Sequence, residues 1–157
     1  AMRIAILVAG IICTAASFSA MAGADPSPGH GTRVLTQTPP MLCEIGSDDE
    51  EAGIGPNVVC QGDFPQSPPE PCPSWPGQQC SVVIHQDQAI VTASGDFSYR
   101  DANIGVGDHP TLDTLTTGQT YHIQGWTIAA SEARTTFTND GTGHGMTIGS
   151  DRNVTAF

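Results

Sequence analysis

Lysine is absent from the 157 residues, and the whole basic complement is five arginines against sixteen acids, a formal net charge of −11. A surface so poor in cations has little with which to neutralise phosphates, which excludes nucleic acid as an expected partner. Aromatic residues make up 6% of the chain and charged residues 13%, so neither a large aromatic core nor a densely ion-paired surface is available. Helical patterning is missing as well. No stretch beyond residue 24 sustains an apolar stripe at helical spacing, although Asp101 to Leu115 has room for one short helical turn. The sequences G-x-S-x-G, H-x-H, H-E-x-x-H and C-x-x-C do not occur, and with them go the common hydrolase, zinc and thiol-redox signatures. No catalytic residue, no cofactor and no metal centre is therefore assigned, and the expected function is not enzymatic.

What is present begins with an export pattern. Arg3 precedes the apolar run Ile4 to Ala20, and small residues at alternate positions, Ala20-Met21-Ala22 and Ala22-Gly23-Ala24, match the spacing that signal peptidase reads. Asp25-Pro26 then interrupts any helix. A cut after Ala24 is expected, which makes residues 1–24 a signal peptide. It predicts a secreted or envelope-associated product with no stable membrane insertion. Cleavage removes one arginine and no acid, which takes the formal charge to −12.

Four cysteines follow the cut, Cys43, Cys60, Cys72 and Cys80, an even number in a chain bound for an oxidising compartment. Two disulfides are expected. Pairing of neighbours, Cys43 with Cys60 and Cys72 with Cys80, is favoured, with the crossed pairings open. Half of the twelve prolines lie between Asp63 and Gly77, and proline at that density removes backbone donors and fixes φ. Residues 25–80 read as an irregular, Pro-rich, disulfide-stapled segment.

From residue 81 to residue 157 the pattern changes to short β-type runs separated by turn residues, which predicts a β domain core. Ser81 to His85 and Ala89 to Ala93 flank Gln86-Asp87-Gln88 as a hairpin would. Further strands are expected at Asp96 to Arg100, Thr120 to Ala129, Arg134 to Thr138, Gly145 to Ile148 and Asn153 to Phe157. Within Tyr121 to Ile128 the alternation slips at Gly125, so a bulge or sharp bend there would return Trp126 and Ile128 to the face shared by Tyr121 and Ile123. The fold class is all-β, a small sandwich or barrel.

The start of the exported chain at Ala24-Asp25-Pro26, the Thr38-Pro39-Pro40 to Cys43 opening, and the closing stretches Gly125 to Ile128, Thr135 to Asn139 and Thr142 to Met146 resemble small exported proteins of mycobacteria and related actinobacteria. Absence of lysine agrees with a high-GC coding bias. The resemblance implies a secreted β domain and transfers no catalytic residue.

Two places stand out as contact surfaces. Asn139-Asp140-Gly141-Thr142-Gly143-His144-Gly145 sets three glycines around His144, which permits close backbone approach by a ligand; Asn139, Asp140 and His144 are its candidate contacts. Trp75 sits among prolines, where an aromatic is hard to bury. The expected function is binding of a protein, a glycan or an envelope component by loops on a rigid sheet scaffold. The alternative is a small extracellular metal-binding protein, with Ca²⁺ at the acidic run Asp48-Asp49-Glu50-Glu51 or Zn or Cu at some of His30, His85, His109, His122 and His144.

Overall fold

Residues two apart along a strand share a face, and that period organises the whole molecule. The computed structural model describes residues 31–49, 54–70, 85–104 and 113–157. Its regular elements are all strands: β1 (Thr32–Gln37), β2 (Pro40–Asp49), β3 (Ile54–Gln61), β4 (Gln88–Thr92), β5 (Phe97–Arg100), β6 (Asp113–Thr114), β7 (Thr120–Ile123), β8 (Trp126–Ala130), β9 (Arg134–Asn139), β10 (Gly145–Gly149) and β11 (Val154–Ala156). They form a six-stranded sheet in the order β5-β4-β3-β2-β1-β6 and a five-stranded sheet in the order β11-β10-β9-β8-β7. Among the described strands only the short β1–β6 pairing is parallel. The protein is all-β.

Each sheet turns one apolar face toward the other. Val34, Cys43, Ile45, Val58, Cys60 and Val91 of the first sheet and Trp126, Ile128, Phe137, Met146 and Ile148 of the second are fully buried in one shared cluster. Two sheets enclosing one core make a sandwich. Burial of each large apolar side chain stabilises it by about 1.5–3 kcal/mol. The second sheet reads cleanly from its sequence: in β9 Thr135 and Phe137 are buried, while Arg134, Thr136 and Thr138 point outward.

Residues 32–61 correct the expectation of an irregular segment at 25–80. Three strands occupy that range, because Val34 and Thr36, then Met41, Cys43 and Ile45, then Val58 and Cys60 recur at every second position and turn inward, and six of them join the core between the sheets. The division at residue 80 therefore does not separate an irregular half from a β core. Pro39 enters at the turn between β1 and β2, after a cis Thr38–Pro39 bond, and Pro40 opens β2. Residues 62–70 are without strands and do fit the Pro-rich reading; Phe64 anchors them with its ring 5.8 Å from that of Tyr99.

The expected hairpin around Gln86-Asp87-Gln88 is also corrected. Strand β4 is bordered by β3 on one side and β5 on the other, so neither edge is open for a preceding strand. His85 instead pairs with Pro69. Residues 81–84 lie outside the described residues, as do residues 1–30, where a signal peptide is expected, and Cys72, Trp75 and Cys80. The run from Thr120 to Ala129 is two strands. Gln124 (φ 47°) and Gly125 (φ 78°) form a two-residue turn, which accounts for the slipped alternation and sends Trp126 and Ile128 inward.

Cys43 and Cys60 are bonded, as the neighbour pairing expects. They are register partners on β2 and β3 with their Cα atoms 4.1 Å apart, and both are fully buried. The bond joins strands that are already hydrogen-bonded and sits in the middle of the core.

Candidate functional site

Three chain reversals meet at one end of the sandwich: Ala93–Asp96 between β4 and β5, Gln124–Gly125 between β7 and β8, and Asp140–His144 between β9 and β10. The Asp140–His144 loop reaches both neighbours. Its Thr142 hydroxyl donates to the Ala93 carbonyl at 2.6 Å, and the Asp140 amide donates to the Gly125 carbonyl at 2.9 Å. A hydrogen bond across the two sheets thus ties the predicted loop to a turn of the other layer.

Asn139 builds the loop. Its Oδ1 accepts from the amides of Gly141 and Thr142, both at 3.1 Å. Asparagine suits this position because its short side chain can take over the donors of the next residues in a turn. Gly143, at φ 78°, supplies the left-handed step that lets the His144 carbonyl accept from the Asn139 amide. The candidate contact Asn139 is therefore occupied within the loop it shapes.

His144 is exposed, and its ring lies against Gly95. Its Nδ1 is 3.2 Å from the main-chain oxygen of Phe157; an oxygen of that kind only accepts, so Nδ1 carries the hydrogen of this contact. Phe157 is also exposed, at 49%, beside the same histidine.

Asp140 faces the outer side of the second sheet. The Thr127 hydroxyl donates to Asp140 Oδ1 at 2.5 Å, and His122 Nδ1 lies 3.0 Å from the same hydroxyl oxygen. With the hydroxyl hydrogen committed to the carboxylate, His122 donates to Thr127. Neither His122 nor Thr127 stands out by motif. Once Gln124–Gly125 is read as a two-residue turn, however, strand register sets the two opposite each other.

Beside the loop, a groove of about 450 Å³ opens on the outer side of the first sheet, with Ile90 at its floor, Pro56 at one wall, and Thr92, Ser94, Asp96 and Ser98 at its rim. Ser94 donates to Asp96 Oδ2 at 2.7 Å and lies 2.8 Å from the Thr92 hydroxyl. The volume is within the range of small-ligand clefts.

The remaining histidines and acids do not join this end as one group. His85 holds the Ser67 carbonyl at 2.7 Å from Nδ1, on the Pro-rich segment. His30 and His109 lie outside the described residues, as do Glu50 and Glu51; Asp48 and Asp49 close β2. Among the described residues no three His, Cys, Asp or Glu side chains converge. No family model, no curated protein and no solved structure matches the chain.

Proposed function

We propose that the protein is exported with loss of residues 1–24 and acts outside the cytoplasm, in the medium or at the cell envelope of an actinobacterium, as a non-catalytic binding module. The partner is a protein, a glycan or another envelope component, met by the loops at the His144 end. One observation carries the reading: the Asp140–His144 loop is held from inside by Asn139 and from outside by Ala93, so its exposed groups stand in one arrangement before any partner arrives. A loop ordered in advance loses less conformational entropy on binding. The hydrogen-bond direction at Thr127 adds support. Its hydroxyl hydrogen points to a carboxylate and not to histidine, the reverse of what a hydroxyl nucleophile with a histidine base requires.

Export and binding are tested together. Fractionation of producing cells, with mass spectrometry of the product, should find Asp25 as its first residue in medium or envelope fractions. Purified oxidised protein should then be retained saturably by envelope material, and a variant carrying Asp140→Ala and His144→Ala should be retained at least tenfold less. A cytosolic product that keeps residues 1–24, or equal retention of the variant, contradicts the proposal.

A further inference from the structure

The outer face of the β7–β11 sheet is rich in threonine. Register places two rows of outward residues across all five strands. One row is Thr120, Ala129, Thr136, Thr147 and Thr155. The other is His122, Thr127, Thr138, Gly145 and Phe157, the last two joined by a pair of main-chain hydrogen bonds at 3.0 Å. No acid and no arginine occurs in either row, on a chain of formal charge −11.

We propose that this face binds a neutral polysaccharide chain laid across the strands; the inference rests on the reading of the protein as a binding module and adds the ligand's class and its surface. Charge is the first argument. Arg134 and Asp140 also lie on the outer side of this sheet, but at opposite ends of β9, and the two rows between them carry no formal charge, so this part of the face suits an uncharged partner. Hydroxyl chemistry is the second. Six threonines each offer one donor and two acceptor positions, which is the complement a sugar hydroxyl needs. Thr136 and Thr147 bond each other at 3.0 Å and Thr127 is held by Asp140, whereas the hydroxyls of Thr120, Thr138 and Thr155 have no partner among the described residues.

The rings provide the third argument. Gly145 has no side chain, and the Phe157 ring lies over it, 3.0 Å from where a Cβ would stand. Phe157 is thereby laid across the sheet at 49% exposure, and with Leu35 it is one of two large apolar side chains left exposed among the described residues. An aromatic ring presented in this way stacks on the C–H face of a pyranose. His122 offers a second, exposed ring at the opposite edge. Strands about 4.8 Å apart put roughly 19 Å between β7 and β11, and the interstrand step is close to the length of one sugar unit, so successive units can meet successive strands.

Affinity electrophoresis of the oxidised protein tests this, in gels holding a soluble neutral glucan, a mannan or a galactan, with an anionic polysaccharide as the comparison. Wild type should be retarded by at least one neutral polymer. Thr138→Glu, Thr155→Glu and Phe157→Ala should each weaken that retardation tenfold or more while keeping the wild-type Trp fluorescence spectrum, and Asp113→Ala, exposed on β6 of the other sheet, should leave it unchanged. Absence of retardation in every neutral gel overturns the saccharide assignment, even where envelope retention through the loop persists. Retardation that survives all three face variants overturns the surface assignment. Self-association in sedimentation velocity that Thr138→Glu abolishes, without retardation, gives the face to a second copy of the chain and overturns the inference.

Discussion

The His144 imidazole covers Gly95 so closely that a Cβ at Gly95 would stand 2.8 Å from both its Cγ and its Nδ1. The two residues belong to different sheets, and Gly95 holds φ 93°, a conformation costly to other residues. Gly95→Ala should therefore destabilise the protein by about 1–3 kcal/mol and displace the His144 ring. Urea unfolding gives the first quantity. The His144 ring resonances give the second, and unchanged shifts would show that the contact does not hold the loop.

Cys43 and Cys60 are fully buried on paired strands, so a thiol reaches their bond only through unfolding. Millimolar reductant alone should leave this disulfide intact over hours, and reductant with denaturant should open it. Replacing both cysteines by alanine should cost about 3 kcal/mol, the order expected for a loop of 17 residues. Peptide mapping after alkylation, together with urea midpoints, measures both effects.

Trp126 is fully buried, and its Nε1 has no hydrogen-bond partner among the described residues. A buried unsatisfied N–H costs about 1–3 kcal/mol, and phenylalanine at this position removes it. Trp126→Phe should change stability by ~1 kcal/mol or less, because relief of that group offsets part of the lost contact. Trp126→Ala should cost about 3–5 kcal/mol. Equal losses for the two variants would show that Nε1 is satisfied in solution.

Much of the second sheet was legible because a single period governs it. Phe137, Met146 and Ile148 alternate with threonines, and glycines mark the reversals at Gly125, Gly143 and Gly149. The first sheet was harder to read. Pro40 begins β2 and Pro56 lies within β3, and proline there disguises strands whose inward residues, Cys43, Ile45, Val58 and Cys60, keep the period of two. The partners of β4 depend on contacts distant in sequence, which local pattern does not encode. At the candidate site, Asn139, Asp140 and His144 were visible as a Gly-rich motif. Ala93, Gly95 and Phe157 join them only through the packing of one sheet on the other, and no short-range signal marks that contact.

Hydrogen bonds from the Asn153 amide and side chain hold the Asp151 carboxyl below its ordinary value. A carboxylate with a lowered folded-state value stabilises the fold above the ordinary Asp range, and the contribution is lost as pH falls through the lowered value. Asp151 is fully exposed, so the effect should stay local to the turn between β10 and β11. The Asn153 amide shift should titrate with a midpoint below that of a free aspartate, and Asp151→Asn should abolish the titration. A midpoint at or above the free value would contradict the two bonds.

In the proposed function the loop carrying His144, and the sheet face adjoining it, form the surface by which this protein meets its partner. Chemical-shift mapping on ¹⁵N-labelled oxidised protein, titrated with soluble envelope material, tests it most directly. Saturable shifts should gather at Ser94, Gly95, Asp140, Thr142 and His144 and extend to Thr127, Thr138 and Phe157. Saturable shifts confined to the opposite end, at Ser131–Arg134 and Ser150–Arg152, would contradict it.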